Sequence, residues 1–158
     1  MTLRSAGDGN PHVPSVSAER ITVHDVTLAL VVRAVPAPPG AQFVTPPEAG
    51  LQVGVLTHAD GTNIPRHKHR EIERRVSGTS EVLLVRSGSC EVDVYDDDEL
   101  IATTQLSPGD VMVLLAGGHS LRMLEDTVLV EVKQGPYVGE QDKTRFVGID
   151  ASEVKLPD

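Results

Sequence analysis

A single cysteine, Cys90, is all the thiol chemistry this sequence owns. One thiol cannot close an internal disulfide, and it cannot build a thiolate zinc cluster of the structural kind. Any metal must therefore be held by histidine and carboxylate. Long apolar runs are missing too: no stretch approaches the ~20 residues a membrane-spanning helix needs. The opening MTLRSAGDGN has no apolar signal core, so the expectation is a soluble, cytoplasmic protein. Basic residues are scarce, 14 against 23 acidic, and the net charge of −9 repels phosphate backbones and anionic membrane surfaces. Neither nucleic acid nor membrane is an expected partner. Helix signals are nearly absent, since no window of a dozen residues combines an i, i+3, i+4, i+7 apolar stripe with caps. Without a helix pair that could enter a major groove, a stand-alone transcription factor is disfavoured.

What the sequence does have is strand. At 158 residues and 39% apolar it can bury the core of one domain. Residues 1–19 are polar and aperiodic and read as an arm. From Ile21, ITVHDVTLALVVRAV is β-branched and apolar, an opening strand that Pro36, Pro38, Pro39, Pro46 and Pro47 then break into an irregular link. After Gly50 come short β-like runs, LQVGVLT, IPRHKH, EVLLVRS, CEVDVY, ELIATTQL, DVMVLL, HSLRML and TVLVEVK. Asp60-Gly61, Ser87-Gly88, Asp96-Asp97-Asp98, Pro108-Gly109-Asp110, Gly117-Gly118 and Glu125-Asp126 separate them as turns. Short strands at this spacing give an all-β fold, a sandwich or barrel over 20–134. The polar, Gly/Pro-punctuated residues 135–158 are expected to wrap the outside or reach a partner subunit.

Strand parity singles out the candidate site. In IPRHKHR, His67 and His69 point to one face about 6–7 Å apart while Arg66, Lys68 and Arg70 point to the other. In EVLLVRSG, an inward Glu81 carries Leu83 and Val85 inward and leaves Arg86 in water. In HSLRML, an inward His119 carries Leu121 and Met123 inward and leaves Arg122 out. Three imidazoles and one carboxylate suit a divalent transition metal, Fe, Mn, Ni, Cu or Zn, and four protein ligands leave an octahedral ion two open positions.

These residues resemble a family. Gly61, five residues, His67-Lys68-His69, then Glu81 with six residues to Gly88, resembles the first cupin motif. The stretch from Arg70 to Ser80 is longer than the family's usual spacing. Gly109-Asp110, a short apolar strand, Gly117-Gly118 and His119 resemble the second motif, with Leu115 where the usual Pro stands and Met123 where the usual Asn stands. The likeness covers roughly residues 50–133. It implies a double-stranded β-helix, or jelly-roll barrel, with metal on His67, His69, Glu81 and His119 and a frequent homodimer. It does not imply a substrate.

The remaining candidates carry less. Glu131 alternates with Val128, Val130 and Val132. The preferred reading fills the barrel with valines and leaves the charges in water; the other aims Glu131 at the pocket as a general base. Arg70 and Arg74, in a loop at the barrel mouth, are candidates to grip an anionic substrate. Tyr95 reads as an outer-face aromatic, Cys90 as a small core residue, and His12, His24 and His58 as loop or surface histidines. Two functions stay open: a metal-dependent enzyme of oxygenase, isomerase or lyase type acting on a small organic molecule, or a non-catalytic small-ligand binder or accessory protein of a biosynthetic pathway.

Overall fold

The computed structural model describes Val16 and residues 18–148. Most of the 1–19 arm, with His12, and residues 149–158 of the C-terminal extension lie outside the described residues. Ten strands run β1 (Ala18–Val23), β2 (Val26–Val32), β3 (Gly40–Phe43), β4 (Gly54–Thr57), β5 (Glu81–Ser87), β6 (Cys90–Asp96), β7 (Glu99–Leu106), β8 (Val111–Leu114), β9 (Gly118–Met123) and β10 (Val128–Lys133). The only helical turn among the described residues is a 3₁₀ turn at Gly139–Asp142.

Hydrogen bonding divides the strands into a five-stranded sheet in the order β1-β2-β8-β5-β10, a three-stranded sheet β7-β6-β9 and a hairpin β3-β4. Every pairing is antiparallel. The described strands form separate sheets, not one closed barrel. The two larger sheets face each other over a shared core. Ala29, Val31, Leu83, Val85, Met112 and Leu114 come from one side, and Cys90, Val92, Val94 and Leu106 from the other. The hairpin side of the molecule forms a second cluster on the reverse of the five-stranded sheet, where Val44 meets Leu30, Val32 and Val113. That is why β2 reads as a continuous apolar run: its residues are covered on both faces.

Three expectations need correcting here. The opening strand is a hairpin, because His24 and Asp25 both take positive φ (45° and 67°) and turn the chain tightly between β1 and β2. The irregular link holds a short strand, β3, paired with β4. IPRHKH is not a strand: residues 58–80 contain no strand, and 58–79 are exposed throughout. Ile64 is the lone apolar residue beside a proline and four charged or imidazole side chains, so the segment has no face to bury.

The sheets are tied together at one end by Arg33. Its guanidinium donates to both carboxylate oxygens of Glu19 (2.8 and 3.0 Å), to Asp110 Oδ2 (3.0 Å), to the Gln105 carbonyl (2.7 Å) and to Thr104 Oγ1 (3.2 Å). Buried Asp110 also accepts from the backbone N–H groups of Ala34 (2.8 Å) and Ser107 (3.1 Å). Burial alone would push the Asp110 carboxyl up, but these two N–H bonds and the Arg33 guanidinium hold it below the ordinary carboxylate value.

Candidate functional site

At the end of the sandwich opposite Arg33, register carries polar side chains into the inner face. Directly opposed residues in antiparallel strands share a face. Ala29, Leu114, Glu81 and Lys133 therefore form one inner row of the five-stranded sheet, and Val31, Met112, Leu83 and Glu131 form the next. On the facing sheet, His119 opposes Val94, and Leu121 opposes Val92. Glu81 and His119 thus leave the rims of two different sheets and meet. His119 Nε2 lies 3.2 Å from Glu81 Oε2, with the side chains 30% and 18% exposed. The parity expected for these two strands holds at Leu83 and Val85, buried beside Glu81, and at half-buried Leu121 and exposed Arg122 beside His119, but Met123, expected inward, is 48% exposed.

A cleft of about 990 Å³ opens at this pair. One wall is Glu81, Leu114, His119 and Leu121, and the other is the returning segment of residues 142–148. The segment is pinned at both ends. Lys133 Nζ binds Asp142 Oδ2 at 2.9 Å, and the Phe146 ring stands edge-on to Tyr95 at 5.3 Å between centroids. The Asp142 carboxylate raises the Lys133 ammonium above its ordinary value, with Glu81 and Glu131 adding to the same effect. Gly118 makes room for Phe146, because a Cβ there would sit 2.6 Å from the ring. Gly117 has φ of +73°, and a Cβ on it would strike the Tyr95 carbonyl.

The other two proposed ligands are placed differently. His67 and His69 lie on the exposed, strandless segment, and neither lines the cleft. Their rings pack on each other, 5.6 Å between centroids and 80° between planes. His67 Nδ1 is 3.0 Å from the Pro65 carbonyl. A carbonyl can only accept, so Nδ1 is the donor in this contact, and in the neutral ring that tautomer has its lone pair on Nε2. Among the described residues no three His, Cys, Asp or Glu side chains meet around one point. The four proposed donors are thus two pairs, Glu81 with His119 on the framework and His67 with His69 on the segment that runs into β5.

Arg70 and Arg74 are exposed and lie away from the cleft lining. The cations at the cleft are instead Lys143 and Arg145, on a segment whose polar composition carried no site signal. Glu131 pairs with Leu83 in register, yet its side chain is exposed, as the preferred reading had it; Val128, Val130 and Val132 are exposed as well, so they do not fill the core as that reading expected. Glu131 does not line the cleft. Tyr95 lies on the same face as Asp93, whose carboxylate also takes Thr103 and Ser120 hydroxyls. It borders the cleft through its contact with Phe146. Cys90 is fully buried, and burial pushes its thiol up. No known family, curated protein or solved structure matched the chain.

Proposed function

We propose that the chain is a metal-binding cupin that acts on a small organic molecule held in the cleft beside Glu81 and His119. The observation that carries this reading is the meeting of Glu81 and His119 from two different sheets at the floor of an open cleft. A carboxylate and an imidazole held at 3.2 Å can face one ion together, and both are donors that a first-row divalent metal accepts. His67 and His69 complete the set when the 58–80 segment settles against the rim. The Nδ1 contact to Pro65 already leaves His67 Nε2 as a ligand atom, as in metal sites whose second ring nitrogen donates to a carbonyl. The donor chemistry fits a metal, while the assembled arrangement requires that segment to move.

Bound there, the metal supplies Lewis acidity toward a carbonyl, enol or water oxygen. The chain's own residues do the rest. Leu114 and Leu121 offer an apolar floor, Lys143 and Arg145 offer cations at the mouth, and the Lys133–Asp142 bond with the Phe146–Tyr95 contact keeps residues 142–148 over the opening. A second reading, a non-catalytic small-ligand binder of the same architecture, is favoured by one observation: only two of the four donors meet.

Metal analysis of protein purified without added chelator separates the two. Near-stoichiometric Fe, Mn, Ni, Cu or Zn that is lost in both His119→Ala and the double variant His67→Ala/His69→Ala supports the metal site. Metal-free protein of unchanged stability favours the binder.

A further inference from the structure

Two cations border the cleft without a partner in the fold. Lys143 and Arg145 both line it and both are exposed, and among the described residues neither forms an ion pair. The stretch that carries them is nonetheless anchored on either side, at Asp142 by the Lys133 ammonium and at Phe146 by the Tyr95 ring. Lys143 itself is extended, with φ −152° and ψ 151°. The Asp142 carboxylate, next in sequence to Lys143, is already engaged by Lys133 at 2.9 Å, so it is not the counter-ion of its neighbour. Two positive charges are thus held at the cleft by a backbone that does not need them for its own placement.

The cleft is polarised as a result. Its other wall carries the Glu81 carboxylate beside His119, and Asp97 borders it from the turn between β6 and β7. A ligand anion is repelled by both carboxylates and drawn to Lys143 and Arg145. Leu114, Ala116, Leu121 and Phe146 supply apolar lining. The volume of about 990 Å³ lies at the upper end of the roughly 300–1,000 Å³ usual for organic ligands, so a bare inorganic anion leaves most of it unfilled.

We infer that the cleft takes an organic molecule with a doubly charged anionic head, a phosphate ester or a dicarboxylate, which Lys143 and Arg145 grip while a neutral oxygen at its other end turns toward Glu81 and His119. Two uncompensated cations balance a charge of −2. The planar Arg145 fork suits two oxygens of a carboxylate or a phosphate, and Lys143 adds a point charge on a flexible stem. Arg70 and Arg74, which the sequence offered for this role, lie away from the cleft lining and take no part. The inference rests on the reading above for the cleft and for the part of Glu81 and His119, but the grip itself uses no metal.

Calorimetric titration of the full chain as purified, with phenyl phosphate, phenylmalonate and uncharged phenol as probes, is the test, with metal content measured on the same samples. At least one of the two dianions should bind about tenfold or more tighter than phenol, and the tighter of the two identifies the head as phosphate or dicarboxylate. Lys143→Gln/Arg145→Gln should lose that tenfold preference and keep the metal content of wild type. Arg145→Lys, which keeps the charge and loses the fork, should fall between them. Both positions are exposed, and circular dichroism checks that the variants fold. A wild type that binds no dianion better than phenol overturns the inference, as does a double variant that binds the dianion as wild type does. The two readings fail separately. Metal-free protein whose dianion affinity depends on Lys143 and Arg145 keeps this inference and removes the metal, and metal-loaded protein indifferent to the double substitution does the reverse.

Discussion

Replacing Asp110 by alanine tests how the two sheets are held together. The carboxylate is 5% exposed and accepts three hydrogen bonds, from Ala34 N, Ser107 N and Arg33 Nη1. Alanine leaves two backbone N–H groups with no acceptor, each worth about 1–3 kcal/mol when buried. It also removes one partner of Arg33, whose side chain is 32% exposed and keeps Glu19, so that loss is discounted for solvent screening. The sum is about 3 kcal/mol, with asparagine, which keeps one acceptor and the volume, costing about half. Urea unfolding should show a lowered midpoint at unchanged slope. The pH dependence has a definite sign. The folded carboxyl titrates below its unfolded value of about 3.9, so the unfolded chain binds the proton more readily. The stabilisation is therefore fully present above that unfolded value and is lost as pH falls through the folded one. Glu19 is shifted the same way by the Arg33 hydrogen bond, but its exposure leaves it a minor contributor. Asp110→Asn should accordingly lie closer to wild type below about pH 4 than at neutrality. A midpoint shift under about 0.5 kcal/mol, or parallel acid curves for wild type and Asp110→Asn, would refute this account of the staple.

Two further outcomes follow from the packing. Gly117→Ala must hold φ near +73° and drive a methyl into the Tyr95 carbonyl, whereas Gly61→Ala at φ +75° meets open space. Thermal unfolding should show a loss of about 1 kcal/mol for Gly61→Ala and at least twice that for Gly117→Ala; equal losses would remove the role given to the Tyr95 contact. Cys90 is fully buried with its thiol pushed up by burial, so Ellman's reagent should react slowly with folded protein and rapidly after denaturation. Rapid reaction in the folded state would place the thiol on an accessible surface.

The strands from Glu81 onward were legible because each has one clearly apolar face between unambiguous turns. β5 and β7 fall on the residues that alternation marks, and inward Glu81 and His119 follow from the buried Leu83, Val85 and Val92 around them. The hairpin at His24-Asp25 was missed because neither residue is glycine or asparagine, the usual occupants of such a turn, although both adopt its positive φ. IPRHKH was misread because His-x-His alternates as well in an exposed coil as in a strand, and parity has meaning only where one face is buried. β10 was misread in part: Glu131 is exposed as expected, but Val128, Val130 and Val132 are exposed too, because an apolar/charged alternation does not say how much of either face is covered in a strand at the end of a sheet. The 142–148 wall had no sequence signal, since its placement rests on the long-range contact of Phe146 with Tyr95.

The claim at the centre of the account is that Glu81 and His119 are the fixed half of a metal site that His67 and His69 complete. Pulsed electron paramagnetic resonance on Cu(II)-loaded protein counts coordinated imidazoles directly. The account expects three in wild type and one in His67→Ala/His69→Ala. A single imidazole in wild type would contradict it.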